Sequence, residues 1–520
     1  MKFPTKLLII TLLLISIIST CKTSGNSGSD PIIPDTPKPP IKTTFSTYYV
    51  APNGSNSNNG TSPGNPFLTI QKSLDIAIAG DTVNIMAGTY PEALVLKTTG
   101  TSSRRITLRQ YNTDIVTINS ENSRAVRLNA VIGYYTLDGL KFISNYVGAY
   151  VGTADYSIDL GIGGPGWWGQ GFPKDNAAAV DDDSNGHNGF IVQNCDITGN
   201  IGFLGHNNVV SNCNLNGNNA FTNGIHDGTV VSHNNIFTHN TISHYTVRGL
   251  WIWSNVYNDT ASYNNISHYG ICAIDFDGAS LPVYNSVMAN NVIHDEDRAK
   301  SMGMQFENGM NCVCENNLIY NVVEGMTCIN YYQGSGGNTG VYGYAYYNFQ
   351  VQDPNNLVMG KVPYVTNNIF RNNLVYNTSS SGAHFMLTWG NYLYNNTFDN
   401  CKGSYGAIAL TNGATSVGCL NTTITNNILS NCSSGVILQS GGSITSESNN
   451  LFYNNTSNGS TGTNVVLGNP LYVNANTGQY KLQSSSPAKD AGAAISAVTT
   501  DMAGTKRPQG TAYDIGAYEY

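Results

Sequence analysis

The chain has 520 residues, too many for one ordinary globular core, yet only 11% are charged and 40% are apolar, with 55 Gly and 32 Tyr. The apolar share is too high for a disordered chain, and a net charge of −8 lacks the basic face of a general nucleic-acid binder. The one long apolar run lies at the N-terminus, which excludes a polytopic membrane protein and leaves a turn-rich all-β chain of a kind that often binds sugars.

Lys2 and Lys6 precede an apolar stretch, residues 7–18, too short to span a bilayer but suited to a secretory signal. It ends Ile18-Ser19-Thr20-Cys21. This resembles a bacterial lipoprotein signal, with residues 1–21 processed so that Cys21 becomes the lipidated N-terminus. An ordinary signal peptide with an incidental cysteine is the alternative. Residues 22–45, rich in Ser, Gly and Pro, read as a tether. The mature protein is expected to be exported, held at the outer membrane or cell surface by lipid, and monomeric. Nine cysteines remain, an odd number with no CxxC or zinc spacing, so they read as small buried core residues with at most an occasional disulfide.

Between 46 and 465 one pattern recurs: Asn-Asn followed by an aliphatic residue. It appears as Asn264-Asn265-Ile266, Asn290-Asn291-Val292, Asn316-Asn317-Leu318 and Asn372-Asn373-Leu374, and again at 426 and 449, with Asn395-Asn396 (before Thr397) and Asn240-Thr241-Ile242 as variants. The first-Asn spacings are 24, 26, 26, 56, 23, 31 and 23, the 56 being two coils with an insertion. No 3.6-residue apolar period is present, so helical solenoids are excluded. The repeat fits one coil of a right-handed parallel β-helix, with Asn at the bend because it tolerates the left-handed conformation and its amide can bond the next coil. Residues 466–520 are expected to close the solenoid.

Three segments carry a family resemblance. Residues 48–95 look like the opening of pectin-lyase-like β-helix proteins, in which a short helix, here near residues 71–78, caps the first coil. Tyr135-Thr136-Leu137-Asp138-Gly139-Leu140 matches their coil pattern, and residues 484–492 and 501–520 resemble the closing segment of bacterial surface β-helix proteins. The resemblance implies the fold; its members include lyases, hydrolases, isomerases and non-enzymes, so the chemistry must come from the residues.

Counting forward from the first Asn of each coil puts Leu250, Ile252, Ile274, Phe276, Met304 and Phe306 inward, so the alternate positions face out. The outward stripe reads His226, then Trp251 and Trp253, then Asp275 and Asp277, then Gln305 and Glu307. Stacked carboxylates repel, so stability alone disfavours them; one raised and one ordinary pKa is what a general acid and its partner need. The tryptophans, His226, Arg248 and Gln305 are expected to bind substrate in one solvent-facing groove. The alternative is a solvated acidic face with two chance tryptophans. The segment also resembles β-helix β-xylosidases, in which a strand aspartate is nucleophile and a glutamate on the next coil is acid/base. That likeness implies these roles for Ile274-Asp275-Phe276-Asp277 and Gln305-Phe306-Glu307-Asn308-Gly309, without deciding between Asp275 and Asp277. Strand spacing puts Asp277 and Glu307 ~4.8 Å apart, near a retaining pair, and Asp275 about 8 Å from Glu307, within the ~6.5–9.5 Å of an inverting pair.

Weaker constellations complete the reading. His244, His268 and His294 share one offset and form either a metal site or an aromatic ladder. Asp181, Asp183 and Asn185 are candidate Ca2+ ligands before Gly186, but Val192 stands where a loop of that type has Glu, which favours a plain acidic turn. Arg248, Arg298 and Lys300 keep open a Ca2+-assisted polysaccharide lyase; hydrolysis needs no cofactor. Loops at 155–189 (with Trp167 and Trp168) and 331–366 are candidate walls of a cleft. The expected activity is glycoside hydrolysis of a polysaccharide or oligosaccharide, against a lyase or a non-catalytic glycan-binding surface protein.

Overall fold

A computed structural model describes residues 44–121, 123–128, 132–144, 158–160, 188–203, 205–220, 223–227, 231–253, 255–278, 283–296, 301–329, 366–412 and 418–520. Cys21, nearly all of the tether, most of both loops, the set Asp181, Asp183 and Asn185, and Arg298 and Lys300 lie outside the described residues, as does the side chain of Trp253. Phe45–Tyr520 forms one compact unit.

The unit is a right-handed parallel β-helix. Fourteen strands, one per coil, stack in strict sequence order from Thr47–Val50 through Thr82–Ile85, Ile106–Gln110 and Tyr135–Asp138 to Ile444–Ser448. The other strands of each coil join a 25-stranded assembly and a four-stranded sheet. Among the described residues all strand pairs are parallel except Tyr472–Asn474 with Gln479–Leu482 near the C-terminus. One apolar column runs inside the coils from Tyr48 to Phe452. Its first turn is capped by the helix Ile70–Leu74, shorter than expected, which buries Ile70 and Leu74. The Glu92 carboxylate accepts from the N–H groups of Ile70 and Gln71, 2.9 Å each, and so satisfies two orphan donors of the helix start.

The Asn-Asn pairs divide two tasks. The first Asn takes the left-handed bend, with φ of 57° at Asn290, 56° at Asn316 and 54° at Asn372. The second is buried and builds the ladder: its Oδ1 accepts the backbone N–H of the equivalent residue one coil earlier. Asn264 donates to Asn291 at 3.0 Å, Asn291 to Asn317 at 2.9 Å and Asn317 to Asn373 at 3.0 Å. Each buried amide thereby exchanges water for partners on neighbouring coils. In the two earlier coils Tyr263 and His239 occupy the bend, and Asn264 and Asn240 are the ladder residues.

The C-terminal segment lies along these bends. Asn372, Asn395, Asn426 and Asn449 donate side-chain bonds to the carbonyls of Thr500, Asp514, Ala493 and Ala491. Buried Arg507 ties it together, 2.7 Å from both Glu519 Oε2 and the Gly516 carbonyl. A second apolar cluster of Ile428, Leu451, Leu482, Ala488 and Ile515 seals that end. All nine described cysteines are buried free thiols, as small core residues should be.

Candidate active site

Three consecutive strands, Arg248–Trp253, Cys272–Asp277 and Met302–Glu307, carry the stripe. The second residue of each is small: Gly249, Ala273 and Gly303. A Cβ on Gly249 would stand 2.7 Å from both the Ala273 carbonyl and Ile266 Cγ2. After it, Leu250, Ile252, Ile274, Phe276, Met304 and Phe306 enter the core. The alternate residues therefore leave it. The register matches the sequence reading: His226 pairs with Trp251, Trp251 with Asp275, Asp275 with Gln305, Trp253 with Asp277, and Asp277 with Glu307.

The stripe faces away from the core but is not a solvent-facing groove. Asp275 is 0% exposed, Asp277 and Glu307 6% each, and Trp251 9%. A carboxylate cluster lowers its desolvation cost by gathering donors, and these side chains fold over one another to do so. Arg248 Nε is 2.7 Å from Asp275 Oδ2. Gln305 Nε2 donates to Asp275 Oδ1 at 3.2 Å and to Glu307 Oε2 at 3.5 Å, while Thr327 Oγ1 donates to Gln305 Oε1 at 3.3 Å. Trp251 Nε1 donates to Asp277 Oδ2 at 3.0 Å.

Trp251 is thus not the open sugar platform expected. His226 stacks on it with ring centroids 4.4 Å apart, and the Arg248 guanidinium lies 4.3 Å above its ring. Burial, then the charge of Arg248, lowers the pKa of His226 to about 3. A neutral imidazole backing the indole replaces the expected sugar-facing His226.

One carboxyl oxygen from each of Asp275, Asp277 and Glu307 lies within 4.8 Å of the other two. This overturns the 8 Å separation inferred for Asp275 and Glu307 from backbone spacing, since the side chains converge. Burial, then the charges of Asp277 and Asp275, raises the Glu307 pKa to about 10. Burial raises that of Asp275 to about 6, with Arg248 pulling it down and Asp277 pushing it up. Burial opposes the charge of Arg248, but the attraction and hydrogen bond of Asp275 hold it more basic than usual. At neutral pH the group therefore holds a protonated Glu307 beside a hydrogen-bonded Arg248–Asp275 ion pair. Asp277 Oδ1, itself buried, has no hydrogen-bond donor among the described residues, and the Glu307 carboxyl lies beside the Asp277 side chain.

The three-imidazole site does not form. His244 and His268 stack at 4.8 Å, but His294 pairs with Ser267 and stacks on Tyr320 instead. The ladder passes from the first Asn of one pair, Asn264, to the second of the next, Asn291. Counting from first Asn to first Asn therefore slips by one. Sequence reasoning also missed a polar group on the same face two coils on. His384 Nδ1 is 3.3 Å from Glu324 Oε2, its Nε2 is 3.0 Å from Thr411 Oγ1, and its ring stacks on Tyr405 at 4.6 Å. The register links it to the stripe, Gln305 pairing with Thr327 and Thr327 with His384. The gap between Ile329 and Thr366 hid that link from the repeat count.

No family model matches the chain. It is 45% identical to the protein YwoF of Bacillus subtilis (strain 168) over 74 residues, 14% of this chain and 16% of that protein. Among solved structures it resembles an alginate lyase, AlyF-OU02, in complex with G6: TM-score 0.48, 10% identity, 78% of this chain and 86% of that one. It also resembles XylC in complex with xylose, with TM-score 0.42, 12% identity and coverage of 91% and 98%. A GH136 lacto-N-biosidase from Eubacterium ramulus gives TM-score 0.42 and 11% identity, covering 68% of this chain and 64% of that one, just under two thirds of its length. These neighbours are carbohydrate-active proteins, both lyases and glycosidases. Identities of 10–12% leave the chemistry of this chain to be read from its own residues.

Proposed function

We propose that the protein cleaves glycosidic bonds by carboxylate-based hydrolysis, with Glu307 as general acid and Asp277 as nucleophile. One observation supports this above others: a buried, protonated Glu307 lies beside Asp277, whose Oδ1 has no hydrogen-bond donor among the described residues. In the first step Asp277 Oδ1 bonds to the anomeric carbon as the glycosidic C–O bond breaks, and Glu307 gives its proton to the leaving oxygen. In the second, water attacks the glycosyl-enzyme while Glu307 takes back a proton. Asp275, neutralised by Arg248 and bonded by Gln305, sets the local charge. One oxygen from each carboxylate within 4.8 Å of the others is nearer the short spacing of a retaining pair than the longer one of an inverting pair.

A second reading rests on the same three oxygens, which fit part of the ligand set of a divalent cation such as Ca2+. Asp275, Asp277 and Glu307 would hold it, and bound Ca2+ would neutralise a uronate carboxylate for β-elimination. Arg248 serves this reading poorly as a base, because Asp275 holds its guanidinium charged. The test is incubation with a panel of plant and algal glycans, with and without chelator. New reducing ends without ultraviolet-absorbing unsaturated uronate support hydrolysis. Unsaturated uronate lost on chelation supports the lyase, and binding without products leaves a glycan-binding protein. The sequence of residues 1–21 further supports the proposal that the enzyme works at the cell surface, anchored through Cys21.

A further inference from the structure

On the 14-stranded sheet, away from the carboxylate strands, a polar cavity of about 470 Å3 opens over the first four coils. That volume falls in the ~300–1,000 Å3 range of small-ligand sites. Its wall is one register column: Tyr49 pairs with Asn84, Asn84 with Arg109, and Arg109 with Asp138. Tyr48, Val50, Val83, Leu108 and Leu137 enter the core, so these four alternate residues face out.

The wall is held in place. Asn84 is 5% exposed, and its Oδ1 accepts from Arg109 Nε at 2.9 Å, which fixes the guanidinium while leaving both terminal nitrogens without a partner among the described residues. Tyr111 meets Tyr49 edge-on, centroids 5.6 Å apart, and neither hydroxyl is hydrogen-bonded to a described residue. Asn194 Nδ2 donates to Asp138 Oδ1 at 2.8 Å, and Oδ2 has no partner among the described residues. Fixed donors, a free acceptor and two tyrosine rings thus share one concave surface. The fold itself uses none of these free groups.

We infer that this cavity is a second, non-catalytic glycan-binding site, and that it takes neutral sugar residues of a linear chain. Hydroxyl-rich rings need paired donors and acceptors with an aromatic edge or face, which Arg109, Asp138 and the tyrosines supply. The carboxylate of Asp138, on the coil next to Arg109, offsets the guanidinium charge, so the lining carries no net charge to favour an acidic sugar over a neutral one. Register neighbours on successive coils stand ~4.8 Å apart, so a chain lying along the axis meets a new outward side chain at each coil. The inference does not depend on hydrolysis at Glu307.

The test uses the full-length chain carrying Glu307→Gln, so that turnover does not obscure binding. Hexasaccharides of xylan, mannan and β-glucan are the neutral probes and oligogalacturonate the acidic one, titrated by calorimetry. At least one neutral probe is expected to bind, and Arg109→Ala and Tyr111→Ala are each expected to weaken it at least tenfold with an unchanged melting temperature. Asp138→Asn, which keeps the shape, serves as a further variant should either of those melt early. Failure of every neutral probe, or binding of the acidic probe alone, would overturn the proposal. So would binding that survives all three variants, or that is lost in Asp277→Ala while Arg109→Ala retains it.

Discussion

The indole N–H of Trp251 reaches across one coil to Asp277 and donates to its Oδ2 at 3.0 Å. Register makes Trp253, not Trp251, the direct neighbour of Asp277, so this bond is diagonal. It fixes the carboxylate plane, while the buried Oδ1 has no hydrogen-bond donor among the described residues. Under the proposed mechanism Trp251 is a positioning residue. Trp251→Phe keeps a ring for His226 and Arg248 but removes the donor. A hydrogen bond to a charged group is worth ~1.5–3 kcal/mol, so kcat should fall about 10- to 100-fold with little change in KM. A raised KM at constant kcat would instead make Trp251 a substrate platform.

The two raised carboxyl pKa values predict the pH profile. Asp275 must be ionised to hold Arg248, so activity should rise through about pH 6. Glu307 must be protonated to act as acid, so activity should persist until its proton leaves near pH 10. The same shift carries a stability cost. In the unfolded chain Glu307 ionises near its ordinary 4.5, whereas the folded protein holds the proton to about 10, so stability is lost as pH rises through that window. Glu307→Gln should therefore abolish most turnover, by about 10²-fold or more, yet raise the melting temperature, more at pH 9 than at pH 5. Thermal melts at the two pH values check this, and an equal shift at both would contradict it.

Much of this was legible beforehand because the chain repeats. The Asn-Asn pairs gave the coil length, and inward Leu250, Ile274 and Met304 gave the parity that places Asp275, Asp277 and Glu307 together. Parity says which side chains leave the core, not what folds back over them. Hence the burial of Trp251 and His226, and the convergence of Asp275 on Glu307, could not be read. The His294 error has a different cause: two adjacent asparagines look alike in sequence but do different work in the bend.

That division of work predicts opposite responses in adjacent residues. Asn316, at φ 56°, should accept Gly within about 0.5 kcal/mol, while Asn316→Ala costs ~1–2 kcal/mol for the left-handed conformation. Asn317→Ala should cost ~1–3 kcal/mol, because it strips ladder bonds from the buried Asn291 amide and the Met288 carbonyl. Denaturant midpoints of the three variants check the contrast.

For location, Cys21→Ala should release the protein from the membrane fraction, with the melting temperature of the β-helix unchanged. Wild-type protein found wholly in the soluble fraction would remove the lipid anchor.

The most direct test of the carboxylate mechanism is proton NMR of the first-formed anomer, on whichever glycan of the panel is turned over. One carboxyl oxygen of Asp277 lies within 4.8 Å of one of Glu307, nearer the spacing of a retaining pair than of an inverting one, so the product should keep the configuration of the cleaved bond. Asp277→Ala should yield no product. An inverted first anomer, or full turnover in Asp277→Ala, would contradict the assignment of Asp277 as nucleophile and Glu307 as acid.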